Sequence, residues 1–171
     1  NVRASSSAKG EIALSARSFN TNVNHEIAPV YQTVTVRKGD NPLEMELPMG
    51  QNFLTWDEFS PALYRLTATL KNGKQIETKQ VQFGMREFTI NGKWFYVNGR
   101  KTMLRGTVEN CDFPLTGYAP MDVASWERVF RICRSYGLNH MRFHSFCPPE
   151  AAFIAADLVG FYLQPEGPSW P

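Results

Sequence analysis

Arg142, His144 and Glu166 are the residues of this chain whose types and placing most suggest chemistry. Arg142 and His144 end a short apolar run, Leu138–Phe143, and Glu166 follows another, Phe161–Leu163. Upstream, Glu109, Asn110 and Asp112 lie just beyond a further extended run, Lys101–Leu104. A guanidinium offers planar donors to carboxylates or hydroxyls. Imidazoles and carboxylates bind sugar hydroxyls or move protons. Parallel α/β sheets gather such groups at the carboxyl ends of separate strands, which is where these residues fall. A plain structural reading stands beside this one: Arg142 in an ion pair, His144 as a hydrogen-bonded histidine, Glu166 as a solvated loop carboxylate. No spacing of metal ligands, no glycine-rich phosphate loop and no nucleophile elbow occurs, so neither a cofactor nor a metal is assigned.

Two helices must position these groups. Asp122 is a capping residue, Trp126, Val129, Phe130, Cys133 and Tyr136 recur at helical spacing, and Gly137 is a stop signal, so the pattern predicts a helix over Asp122–Tyr136. Pro149 suits the first turn of a second helix, which carries Ala152, Phe153, Ala156 and Leu158 and ends at Gly160. The order strand, helix, strand, helix, strand implies parallel strands. Thr107–Met121, with Pro114, Gly117 and Pro120, reads as a long functional loop. Three strands are too few to close a barrel. The segment is then either a small open sheet or the start of a longer barrel that continues past Pro171.

The first half has a different period. Glu11–Phe19, Tyr31–Arg37, Leu43–Leu47, Tyr64–Leu70 and Ile76–Phe83 alternate apolar and polar residues, the mark of half-buried antiparallel strands. Asn72-Gly73 is a hairpin signal. Short strands at this spacing predict an immunoglobulin-like sandwich of about seven strands. Trp56 and Tyr64 are expected to pack at its edge, with a sugar-stacking platform as the other reading of Trp56. Phe88–Ile90, Lys93–Val97 and Lys101–Leu104 follow, separated by Asn91-Gly92 and Asn98-Gly99. The fold class expected is therefore an all-β immunoglobulin-like sandwich over residues 1–86, then linker strands and an incomplete (β/α)8 barrel over 87–171.

Composition narrows the partners. A net charge of +2 over 171 residues argues against nucleic acid, and no apolar run is long enough to span a membrane. Aromatic residues reach 13%, which fits either a sandwich core or a sugar-handling surface. Cys111, Cys133 and Cys147 form no disulfide framework or metal motif, and an odd count leaves at least one thiol free. The chain opens without a leader pattern, as a cut inside a larger protein would.

Several motifs in one order resemble the glycoside hydrolase family 2 enzymes of the β-galactosidase and β-glucuronidase type. Ser60-Pro61-Ala62-Leu63-Tyr64 and Phe83-Gly84-Met85-Arg86 resemble the end of that family's immunoglobulin-like domain. Phe88-Thr89-Ile90 and Phe95-Tyr96-Val97-Asn98-Gly99 are similar to its linker strands. Leu104-Arg105-Gly106 with Asp112-Phe113-Pro114, Leu138-Asn139-His140-Met141-Arg142, and Asp157-Leu158-Val159-Gly160-Phe161-Tyr162 running to Glu166 resemble the first part of its barrel.

The resemblance implies a piece of a retaining β-glycosidase, β-galactosidase-like, whose two catalytic glutamates lie outside this chain. It implies that Asn110, Asp112, Arg142, His144 and Glu166 line a carbohydrate pocket. It further implies a periplasmic or extracellular parent, and in some members a metal near the glutamate matching Glu166. The sequence departs from the family at two places: Ser145 stands where a histidine is usual, with His144 one place earlier, and Asn110 replaces another histidine. The competing reading is a non-catalytic carbohydrate-binding or adhesion module.

Overall fold

The computed structural model describes residues 1–168. The chain divides into two compact units: Asn1–Leu54 with Leu63–Phe83, and Thr55–Ala62 with the chain from Gly84 onward.

The first unit contains β1 (Val2–Ala4), β2 (Ala8–Phe19), β3 (Glu26–Val36), β4 (Gly39–Asn41), β5 (Leu63–Asn72) and β6 (Gln75–Phe83). A four-stranded antiparallel sheet runs in the order β3-β2-β5-β6, and β1 pairs with β4 in a separate two-stranded ribbon. The alternation in β2 and β3 buries Ile12, Val34 and Val36, against which Val2, Ala4, Leu14, Leu43, Met45 and Leu70 pack. A register shift opposite Leu14 and Ala16 sets two β3 residues, Ala28 and Pro29, against Ser15, so β3 bulges against β2. Tyr64 is fully buried. Its hydroxyl accepts the Leu54 N–H at 2.8 Å, lies 2.7 Å from His25 Nδ1, and its ring stacks on Phe83.

Two expectations for this half need correction. Six strands lie within residues 1–86, and Leu43–Leu47 is not among them. The burial of this segment still alternates, with Leu43, Met45 and Leu47 half-buried and Glu44 and Glu46 exposed. It lies extended on the core without a ladder, so its period-two pattern records burial and not pairing. Trp56 is buried as a structural residue, but it belongs to the second unit and not to the sandwich. Its indole N–H donates to the Asp157 carbonyl at 2.7 Å, and its ring meets Tyr162 edge-on.

The second unit begins with a meander of β7 (Phe88–Asn91), β8 (Trp94–Val97) and β9 (Arg100–Thr102). It continues as β10 (Gly106–Glu109), α1 (Val123–Ser135), β11 (His140–Phe143), α2 (Glu150–Val159) and β12 (Tyr162–Pro165). Strands β10, β11 and β12 form a parallel sheet in that order. The first parallel strand is thus Gly106–Glu109, whereas the run from Lys101 forms β9 and pairs antiparallel with β8. Val108 alone in β10 is an exposed large apolar residue, so the strand leaves little apolar signal.

Both helices pack on one face of this sheet. Met141 and Phe143 meet Trp126 and Phe130 of α1 and Ala151, Ala152, Ala155, Ala156 and Val159 of α2. The four alanines keep α2 close to the strands. Asp122 caps α1 by accepting the Ser125 N–H at 2.8 Å. Gly137 closes α1, donating its N–H to the Arg134 carbonyl at 2.9 Å while the Leu138 N–H reaches Cys133. Gly160 closes α2 at φ 76°, and a Cβ there would meet the Glu58 carbonyl oxygen at 2.9 Å.

The two helix-closing glycines therefore predict unequal costs. Gly137 also has φ 79°, but nothing lies within 4 Å of the place its Cβ would take. Gly137→Ala should cost about 1 kcal/mol from the left-handed backbone alone. Gly160→Ala should cost about 2 to 4 kcal/mol, because a backbone carbonyl must also shift. Urea unfolding of the two variants checks the order, and equal midpoints would contradict it.

Candidate functional site

The parallel sheet brings Arg142, His144 and Glu166 into one cluster. Arg142 is the third residue of β11, and its register partners are Val108 and Gln164. Alternation turns Met141 and Phe143 to the helices and Arg142 to the other face. His144 and Glu166 directly follow β11 and β12, so both stand at carboxyl ends. The ladder runs one step past β11, with the His144 N–H donating to the Glu109 carbonyl at 2.8 Å. The Glu166 N–H donates to the Phe146 carbonyl at 3.2 Å, which fixes the loop after β12 beside the loop after β11.

Glu166 is the acceptor at the centre. Arg142 Nε donates to its Oε1 at 2.5 Å, and the Ser145 N–H donates to its Oε2 at 2.9 Å. His144 Nδ1 lies 3.4 Å from the same Oε2 and 3.4 Å from an Arg142 terminal nitrogen. Ser145 Oγ is 3.2 Å from His144 Nδ1. Ser145 reaches Glu166 by adopting φ 65°, a conformation that L residues other than glycine enter at a cost. The Arg142 guanidinium, followed by the Ser145 N–H, holds the Glu166 carboxyl well below the usual range, at about 2. Such a carboxylate accepts and positions; it does not donate a proton near neutral pH. Arg142 keeps 41% and Glu166 24% of its side chain exposed, so the cluster is open to a solute.

Asn110 and Asp112 behave differently. Both are exposed in the loop after β10, and no hydrogen bond recorded among the described residues ties either side chain to the cluster. The Asp112 N–H instead donates to Glu109 Oε1 at 3.2 Å, which folds the start of that loop. Glu109 Oε2 is buried without a hydrogen-bond partner among the described residues. No group of three or more His, Cys, Asp or Glu side chains is placed to hold a metal among those residues. Cys111 and Cys147 are exposed thiols, and burial pushes the half-buried Cys133 thiol up.

The opposite ends of the strands hold a second polar network, which sequence reasoning missed. Glu58 is 5% exposed and Asn139 2%. Asn139 Nδ2 donates to Glu58 Oε2 at 2.8 Å and to the Met103 carbonyl at 3.0 Å, while its Oδ1 accepts the Arg105 N–H at 2.7 Å. Arg105 adds an ion pair to the same Glu58 oxygen at 3.3 Å. Arg134 Nη1 donates to the carbonyls of Glu58 and Val159, each at 2.6 Å, and of Gly160 at 3.0 Å. This network locks the segment Thr55–Ala62 to the starts of β10 and β11 and to the last turns of both helices. Next to it, His140 is buried, and its desolvation favours the neutral imidazole. A Cβ on Gly106 would collide with that ring, so β10 must begin with glycine.

A parallel sheet backed by helices, with a charged cluster at its carboxyl ends, defines an α/β scaffold of the class that carries its chemistry at those ends. The family model of the glycosyl hydrolases family 2 matches residues 1–86, and the chain belongs to that family. It is 29% identical over 116 residues to the β-galactosidase of Thermoanaerobacterium thermosulfurigenes, covering 67% of this chain and 16% of that protein. It is 32% identical over 123 residues to the β-galactosidase of Thermoanaerobacter pseudethanolicus, covering 70% of this chain and 16% of that one. The crystal structure of Bacteroides uniformis β-glucuronidase superposes with a TM-score of 0.80 at 20% identity, over 96% of this chain and 20% of that chain, a likeness of fold. The chain thus spans about a sixth of the length of these two curated relatives.

The ion pair yields a pH prediction. The folded-state value of Glu166 lies below its ordinary 4.5, so the interaction supports the fold fully above that pH and is lost as pH falls toward about 2. In an NMR titration the Glu166 carboxyl should have its midpoint near 2 in the native chain and move back toward 4.5 in Arg142→Met. A native midpoint near 4.5 would refute the pairing.

Proposed function

We propose that this chain is an internal part of a retaining β-glycosidase: a sandwich domain over residues 1–86, then linker strands and the first three strands of a (β/α)8 catalytic barrel. The parent hydrolyses a β-linked glycoside, β-galactosidase-like, and its acid/base and nucleophile glutamates lie outside these residues. The observation that carries the reading is the convergence of Arg142, His144 and Glu166 beyond the carboxyl ends of parallel strands, in a chain of family 2. The curated relatives' names support the activity class.

In this reading Arg142, His144 and Glu166 form part of the wall of the sugar pocket, with Asn110 and Asp112 contributed by the neighbouring loop. Glu166 holds the guanidinium in place and offers acceptor oxygens to sugar hydroxyls; Arg142 and His144 offer donors. Such groups act by orienting substrate at the reacting centre, not by transferring the proton. A retaining mechanism needs two carboxyl groups roughly 5 to 5.5 Å apart, one kept protonated. Glu166, held ionised by Arg142, is unsuited to the protonated role.

The isolated chain should therefore show no turnover above background on chromogenic β-galactosides, β-glucosides, β-mannosides and β-glucuronides. The full-length parent should turn over at least one of them. In the parent, Glu166→Gln and Arg142→Ala should each lower kcat/KM by about 10- to 100-fold with the fold retained, as lost positioning does. Robust turnover by the fragment, or a Glu166→Gln parent with unchanged kinetics, would overturn the reading.

A further inference from the structure

The outer face of the four-stranded sheet in the first unit carries an unsatisfied arrangement of charge. The register sets Glu26, Arg17, Arg65 and Gln82 side by side across the four strands. Two arginines opposite one another on paired strands repel, and such like-charge pairs weaken a sheet. Only one carboxylate stands in the row. Arg17 uses it, with its Nε 3.1 Å from Glu26 Oε1 and 3.3 Å from Asn24 Oδ1. Arg65 is exposed and has no ion pair among the described residues; its guanidinium rests over the Phe19 ring at 4.8 Å, which orients its plane.

The surroundings form a shallow trough. A cavity of about 460 Å³ lies against Ser15, Arg17, Glu26, Pro29, Arg65 and Thr67, at the bulge in β3. The next rows of the same face are Ser15, Thr67 and Gln80, then Tyr31, Ala13, Thr69 and Thr78. Ala13 and Ser15 make a low floor between them. Gln80 Nε2 donates to Thr67 Oγ1 at 3.3 Å, and the Thr69 and Thr78 hydroxyls lie 3.3 Å apart. Tyr31, 62% exposed, stands on the same face two rows from Arg65. The four steps from Ala13 to Arg17 span about 13 Å of strand, enough for more than one sugar ring. Lys9 and Lys71 join the arginines on this face against Glu11 and Glu26, which leaves an excess of positive charge.

We propose that this face binds a glycan segment that bears a carboxylate, with the uronate group on the Arg65 fork and a sugar ring further along the segment on Tyr31. The planar guanidinium pairs with carboxylate through two parallel hydrogen bonds and relieves the repulsion from Arg17. The exposed Tyr31 ring two rows along the face supplies apolar contact to the sugar ring. The rows of hydroxyl and amide groups between them meet sugar hydroxyls. This site lies wholly within the first unit and serves to hold a polymer; it takes no part in bond cleavage.

Affinity electrophoresis of the 171-residue chain tests the proposal, in gels holding polygalacturonate or a neutral galactan at about 0.15 M salt. Polygalacturonate should retard the chain and galactan should not. Arg65→Gln should weaken the retardation about tenfold, Arg65→Lys should weaken it too despite keeping the charge, and Tyr31→Ala should weaken it severalfold. Lys79→Ala, on the opposite face of the same sheet, should leave it within about twofold, since a charge away from the trough contributes little at this salt. No retardation by polygalacturonate, equal retardation by galactan, an unaltered response in both Arg65 variants, or a loss in Lys79→Ala as large as in Arg65→Gln would each overturn it.

Discussion

The side-chain amide of Asn139 is the contact on which the second unit depends. It sits just before β11, nearly sealed from solvent, and both ends of the amide are used. Its oxygen takes the N–H of Arg105, just before β10, and its nitrogen gives to Glu58 and Met103. One residue thus sets where two parallel strands start relative to each other. It also carries a carboxylate that would be costly to bury alone. An apolar residue of the same size would leave Glu58 and the Arg105 N–H without these partners.

From that fixed start, the strands deliver their far ends in register. Val108 lies opposite Arg142 and Arg142 opposite Gln164, so the residues just beyond them, His144 and Glu166, emerge on adjacent strands. Arg142 then needs only the short reach to Glu166 that the structure records. The helices contribute on the other face, where Phe130 stacks on Phe161 and Trp126 meets Phe143 edge-on. Apolar packing on one side of the sheet leaves the other side to polar groups, which is the division of labour a site of this kind requires.

Much of this was legible in the sequence because local physics governs it. Asp122, Gly137, Pro149 and Gly160 mark the helix ends through capping and backbone freedom, and the helices lie within two residues of those marks. The grouping of Arg142, His144 and Glu166 followed from counting strand ends. What escaped was non-local or non-periodic. Glu58 and Asn139 are 81 positions apart, and nothing in either neighbourhood announces the pair. The strand Gly106–Glu109 has no apolar alternation, because its glycine is dictated by His140 and its glutamate by the loop that follows. Leu43–Leu47 misled for the opposite reason: alternation measures which side is wet, and an unpaired segment lying on a core alternates as well as a strand does.

Ser145 lends the candidate site its main chain. The N–H that reaches Glu166 belongs to the peptide, and the φ of 65° that aims it is a property of the backbone. A survey that trims side chains to alanine would keep this donor and pass the position over. Its importance surfaces only when the chain itself is edited, by proline, which removes the hydrogen, or by a β-branched residue, which resists the left-handed turn. A catalogue of important residues built from side-chain deletions therefore omits part of this cluster by design, and glycine here would be tolerated better than valine.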